Sequence, residues 1–154
     1  MARNLFRDAA GSTVVEMAMV APFLAAMLIG MVDLSRAYSS KLALEQAAQR
    51  TIEKVAQGQL ADSDADDFKA ALKTEAATAA GVAESAVTPD IWLECDDVRE
   101  DFETGSCDAD ESFARYASVD ITKKYTPLFS VKKFAGANAD GTYTLHGEAG
   151  VRLQ

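Results

Sequence analysis

The sequence of 154 residues holds one histidine, two cysteines, three prolines and one tryptophan, and each scarcity removes a class of function. His146 has no Ser or Cys motif around it, so no nucleophile–base arrangement is recognisable and a solvated surface histidine is expected. Cys95 and Cys107 show neither a CxxC spacing nor a companion histidine, which leaves zinc and thioredoxin-like chemistry without ligands. A glycine-rich phosphate loop is absent. Cations are outnumbered, 15 Lys and Arg against 24 Asp and Glu, for a net charge of −9. Nucleic acid is held by clustered cations against phosphate, so that class of partner is not expected. Asp96, Asp97, Glu100, Asp101 and Glu103 form an acidic run, yet without EF-hand spacing or its position-six glycine. A solvated loop is expected there, with no metal, no cofactor and no enzymatic site anywhere.

What the sequence has is one long apolar block. From Ser12 to Val32 the only charge is Glu16. As a helix this run is roughly 31 Å long, close to the hydrocarbon thickness of a bilayer. Three explanations compete. A cleaved secretory signal would use Arg3 and Arg7 as its basic flank, but Ser35-Arg36-Ala37 is a poor cleavage site and the block exceeds a usual h-region. An unprocessed single-pass anchor carrying an extracytoplasmic binding domain explains the length and gives Glu16 no task, although acids inside a span are costly and usually paired or functional. The third explanation uses Gly11, five residues before Glu16 and after a short basic leader.

A glycine, a cut, and a glutamate fifth in the new chain resemble the prepilin processing motif. The wider string RDAAGSTVVEMAMVAPFLAAMLIGMVDLSRAY resembles the amino-terminal region of the TadE-like family, the minor pilin-like proteins of tight-adherence (Flp) pili. The matching positions are Arg7, Gly11, Val15, Glu16, Ala18, Val20, Ala21, Pro22, Gly30 and Tyr38, and the resemblance is strongest over residues 7 to 55. Ser12 departs from type IV pilins, whose mature chains usually begin with an aromatic residue; a small residue there fits the TadE-like branch.

The resemblance implies a prepilin peptidase cutting after Gly11, which leaves an α-ammonium on Ser12 about one helical turn from Glu16. At an effective dielectric of 20, opposite charges 4 Å apart gain about 4 kcal/mol, against about 1 in bulk water. Between neighbouring chains such a pair fixes the axial stagger of packed helices, as polar core residues fix register in coiled coils. Glu16 is thus the implied subunit-docking carboxylate, and the implied partners are the peptidase, other pilins or pseudopilins of the Tad pilus, and the inner membrane. Pro22 removes one helical hydrogen bond, and either kinks the span or is simply tolerated. Lys and Arg flank both ends of the span, so positive charge alone does not orient it. The pilin-like leader and the cysteine pair do: the amino end is cytoplasmic, and the rest lies in the periplasm or in an extracellular pilus.

Beyond Asp33 the helical pattern continues, with Leu34, Ala37, Leu44, Ala48, Ile52 and Val55 on one arc and Lys41 and Glu45 placed to pair. Gly58 is the first stop signal. Ser63 and Asp66 suit a capping box opening a second, alanine-rich helix from Asp64 to Ala80, ended by Gly81. From Thr88 the period becomes two. Ile91, Leu93 and Cys95 alternate with Trp92 and Glu94, and a second strand runs from Ala117 to Tyr125. In the last, Tyr143, Leu145, Gly147, Ala149, Val151 and Leu153 share one face. Val131 to Phe134 offer a short edge strand, and DDVREDFETGS reads as a mobile acidic loop. Cys95 and Cys107 bracket it, either as one disulfide of an oxidising compartment or as two unrelated thiols. Trp92 is either exposed or covers the helix side of the sheet.

The expected architecture is α+β and pilin-like: a long amino-terminal transmembrane helix continuing as a spine, packed on a small antiparallel sheet with a second short helix. The expected divisions are a cytoplasmic leader at 1–11, a membrane half of the helix at 12–33, an exported half at 34–57 and an outer α+β domain at 58–154. One apolar and one polar face per strand indicate a sheet covered on a single side.

Overall fold

A computed structural model describes residues 9–58, 64–128 and 136–153, with side chains from Val14 onward in the first helix. The expected strand at 131–134, the proposed cap Ser63 and residues 1–8 of the expected leader lie outside the described residues. Helix α1 runs from Ala9 to Ala56, 48 residues without interruption, and Pro22 stands inside it. Such length far exceeds the usual three or four turns.

The two halves of α1 meet different surroundings. Every residue from Val14 to Leu28 is exposed. Ile29, Asp33, Ala37 and Ser40 are half-buried, and Leu44, Ala47, Ala48, Thr51, Ile52 and Val55 are buried. Steps of three and four place these residues on one side of the helix. Leu34 departs from the expected arc and is 72% exposed. It precedes Leu44 by ten residues, which at 100° each leaves it about 80° off that side. Lys41 and Glu45 form an i, i+4 ion pair at 3.4 Å. Gly58 adopts a positive φ of 73° and its N–H donates to the Val55 carbonyl, closing the helix end.

Helix α2 spans Ala65–Ala80, and Asp64 is its N-cap, accepting from the Asp67 N–H at 3.0 Å. The start thus uses Asp64 and the N–H of Asp67, one residue beyond the expected pair of Ser63 and Asp66. Gly81 is left-handed at φ 62°. Its N–H donates to the Thr78 carbonyl and that of Val82 to Ala77, a Schellman ending. Phe68, Leu72, Ala76 and Ala77 are buried, and Lys54 of α1 pairs with Glu75 across the two helices.

A short 3-10 turn at Glu84–Ala86 leads into a sheet of β1 (Val87–Cys95), β2 (Val98–Asp101), β3 (Phe113–Tyr125) and β4 (Tyr143–Arg152). The strands are antiparallel throughout, in the order β2-β1-β3-β4. Ile91 pairs with Ala117, Val119 with Ala149, and Ile121 with Gly147, so the apolar positions of three strands share one face. That face covers α1 and α2, forming a single core with Leu44, Leu72, Val119 and Ile121 at its most buried points. Each such side chain contributes about 1.5–3 kcal/mol of hydrophobic stabilisation.

Gly147 fixes how closely helix and sheet approach. A Cβ there would lie 2.4 Å from the Leu44 carbonyl carbon and 2.6 Å from its Cβ. Only glycine lets the backbone of β4 touch α1 at this point. Tyr125, the partner of Tyr143, meets α1 at Asp33, whereas Gly147 meets it at Leu44. The helix rises roughly 16 Å between those contacts and the strand roughly 13 Å, so β4 runs along α1 in the same direction.

Candidate functional site

The exposed half of α1 is the first element with no partner inside the fold to account for its composition. Val14, Val15, Met17, Met19, Val20, Phe23, Leu24, Met27, Leu28, Met31 and Val32 are each between 47% and 73% exposed. In water such a surface far exceeds what a monomeric soluble protein tolerates. By length and composition this helix is able to cross a bilayer, and none of its most apolar window is buried. A helix satisfies nearly all its backbone hydrogen bonds internally, as a lipid environment demands, and Pro22 leaves one carbonyl of this helix, that of Ala18, without its usual N–H donor. Gly11 and Ser12 belong to the helical backbone of its first turns, and Glu16, exposed, follows Ser12 by about one turn.

Where the apolar half ends, the outer domain grips the helix. The Tyr125 hydroxyl donates to the Asp33 carboxylate and lies 3.0 Å from the Asp33 carbonyl. The Leu128 N–H donates to the same carboxylate at 3.1 Å. The hydrogen bond to Asp33, aided by burial, raises the Tyr125 phenol above its ordinary 10.0. Asp33 thus does more than terminate an apolar run. No sequence signal joins it to groups more than 90 positions away.

The region read as a mobile loop is instead a hairpin. Asp96 and Asp97 both take positive φ, 47° and 64°, in a two-residue turn between Cys95 and Val98. That is the demand of a type I′ turn, usually met by Asn-Gly, and Asp tolerates the left-handed region better than most residues. The Asp96 carboxylate accepts from the Ser112 hydroxyl at 2.8 Å and its N–H at 3.0 Å, which lowers its pKa. Asp101 accepts from Thr104 and from the Glu103 N–H and is likewise lowered. A disulfide joins Cys95 to Cys107, with Cα atoms 5.4 Å apart, and ties the hairpin to the strand end.

These carboxylates do not converge. Glu100 and Asp101 follow one another along β2 and so point to opposite faces. Among the described residues the one acidic and thiol group close enough for a metal is Cys95, Cys107 and Glu111, and its two sulfurs are bonded to each other.

On the outer face of the sheet, Trp92 stacks on Tyr116 with ring centroids 5.3 Å apart. The Arg99 guanidinium lies 4.4 Å over the indole and pairs with Asp90. The indole N–H donates to Glu94 at 2.8 Å. Trp92 therefore faces away from the helices, half-covered by its neighbours. His146 is exposed on the same face, 3.3 Å from the Asp120 carboxylate.

Residues 11–52 match the family model described as TadE-like protein, in agreement with the resemblance carried by the apolar segment. The match takes in Glu16, Pro22, the Asp33 contact and the docked turn at Leu44, and stops before α2 and the sheet. Among curated proteins and among solved structures, nothing matches the chain.

Proposed function

We propose that this chain is a minor pilin or pseudopilin of a tight-adherence pilus, a structural part and not an enzyme. The observation that carries the reading is one continuous helix, most of it within a TadE-like match, with two unlike halves: an outer half sealed into a domain, and an inner half that is apolar apart from Glu16 and exposed throughout from Val14 to Leu28. In this reading residues 1–11 are a cytoplasmic leader, 12–33 the membrane half, 34–57 the exported spine, and 58–154 a periplasmic domain with Cys95 and Cys107 bridged in an oxidising compartment.

A prepilin peptidase removes the leader between Gly11 and Ser12. The new ammonium and Glu16 then neutralise each other within or between chains, and the carboxylate sets the stagger of packed helices. Pro22 weakens the helix by one hydrogen bond and eases its passage from lipid into an assembly. The partners are other pilins of the same pilus.

Mass spectrometry of protein isolated from its native membrane tests processing. A mature chain beginning at Ser12 supports the reading; a chain beginning at Met1 leaves a single-pass anchor with an outer module. Glu16→Leu separates cleavage from docking: cleavage is expected to persist while incorporation into pili falls. Equal pilus content in the variant and the native protein would remove the docking role.

A further inference from the structure

We propose that the end of the outer domain around Asp33, Tyr125 and Leu128 sits in the headgroup layer of the bilayer that α1 crosses, as a lipid-contacting foot. The inference rests on reading α1 as a membrane span, and it concerns the domain, not the span.

The argument is one of depth. From Ser12 to Val32 the helix is roughly 31 Å long, against about 30 Å of hydrocarbon, so Asp33 falls at the outer boundary. The headgroup layer adds about 5–7 Å on that side, four helical residues' worth, which reaches Ala37. Tyr125 and Leu128 are hydrogen-bonded to Asp33 itself and share its depth. The domain therefore has no stalk: its contact with α1 begins at the membrane boundary.

The chemistry at this depth suits a lipid surface. Leu128 is 53% exposed, and Tyr38, one residue past Ala37 but with its side chain slanting back toward the helix N-terminus and the headgroups, is 62% exposed. Tyrosine is enriched at headgroup level because its ring prefers the apolar side and its hydroxyl the wet side. Arg36 and Lys123 are exposed nearby and oppose lipid phosphates. Lys124 is already engaged by Asp140 at 3.2 Å, and Asp33 by Tyr125 and the Leu128 N–H, so neither acid stands as a bare charge toward the lipid.

Depth-dependent quenching of tryptophan tests the foot, using the full chain reconstituted in phosphatidylcholine–phosphatidylglycerol vesicles that carry nitroxide-labelled lipids. The native protein has a single tryptophan, Trp92, paired with Tyr116. The stretch of β3 from Tyr116 to Tyr125 is roughly 30 Å long, which puts Trp92 well beyond the headgroups. In a Trp92→Phe background, Leu128→Trp and, separately, Tyr38→Trp place an indole at the foot, and Leu24→Trp places one in the span. Headgroup-level nitroxide is expected to quench Leu128→Trp and Tyr38→Trp several-fold more steeply than it quenches native Trp92. If both foot indoles are quenched no more than Trp92 while Leu24→Trp is quenched by chain-labelled lipid, the foot is overturned and the span stands. If Leu24→Trp also escapes quenching, the span reading fails and the foot with it. Emission shifted to the blue at Leu128→Trp without quenching would assign the face to another protein surface and overturn the proposal.

Discussion

The inner and outer halves of α1 are one helix built for two solvents. The outer half presents small or medium residues toward the domain: Ala47, Ala48 and Thr51 alternate with Leu44, Ile52 and Val55. Small side chains let the sheet approach until Gly147 meets the Leu44 backbone. The inner half presents Met, Val, Leu and Phe in all directions, with no side favoured. A helix with an apolar stripe is asking for one neighbour; a helix apolar all round is asking for a medium. Burial grows between these regimes from the half-buried Ile29 to the buried Leu44, and Asp33, held by Tyr125 and Leu128, lies in this transition.

Substitutions that shift a residue from one regime to the other break this comparison. The largest contrast is expected between Leu44→Ala and Leu24→Ala. Leu44 is 1% exposed and its truncation should cost about 2–5 kcal/mol, whereas Leu24, half exposed, should change domain stability by less than about 0.5. Thermal unfolding of the sheet, followed by circular dichroism in detergent, reads both; similar losses would show that the halves are not independent. Next in size, Cys95→Ser should lower stability by on the order of 3 kcal/mol, the loop-entropy value for a bridge of this span. An unchanged melting temperature would show that the bridge carries no load.

A pair of glycines sharpens the contrast. Gly147→Ala drives a methyl into Leu44 and should cost about 1–3 kcal/mol. Gly30→Ala meets nothing within 4 Å and should be neutral or favourable by up to about 1 kcal/mol, since alanine is the better helix former. The smallest effect is one of pH. Because the folded Tyr125 pKa is raised, its contribution is fully present below the ordinary value of 10.0 and lost as pH rises through the folded value. Titrating native protein against Tyr125→Phe above pH 10 should show the native protein losing stability more steeply; parallel curves would mean that the Asp33 contact is not formed.

Much of this architecture is legible in the residues. The long helix, its stop at Gly58, the second helix with Gly81, and the alternation of β1, β3 and β4 follow from periodicity and turn chemistry. The strand β2 does not, because Val98, Arg99, Glu100 and Asp101 are all exposed and show no inward–outward pattern. Backbone pairing with β1 and a turn of two aspartates define it, and aspartate is a weaker turn signal than glycine. The cap at Asp64 is hidden by an equally plausible Ser63 one residue earlier. Within the candidate site, Gly11 and Glu16 stand out only when their spacing is joined to the Ala-Pro step and the apolar run, and their roles stay proposals. The Asp33 contact is invisible, since it joins groups more than 90 positions apart and neither Asp33 nor Tyr125 is unusual in its own segment.

The close approach at Gly147 also has a mechanical consequence. With α1 and β4 in backbone contact and running in the same direction, tension applied along the helix enters the sheet parallel to its strands. The pairs from Tyr116–Arg152 to Tyr125–Tyr143 then bear it side by side, in shear, instead of opening one after another like a zip. Pulled lengthwise through α1, the sheet therefore resists in shear, whereas a crosswise load peels the same strands apart.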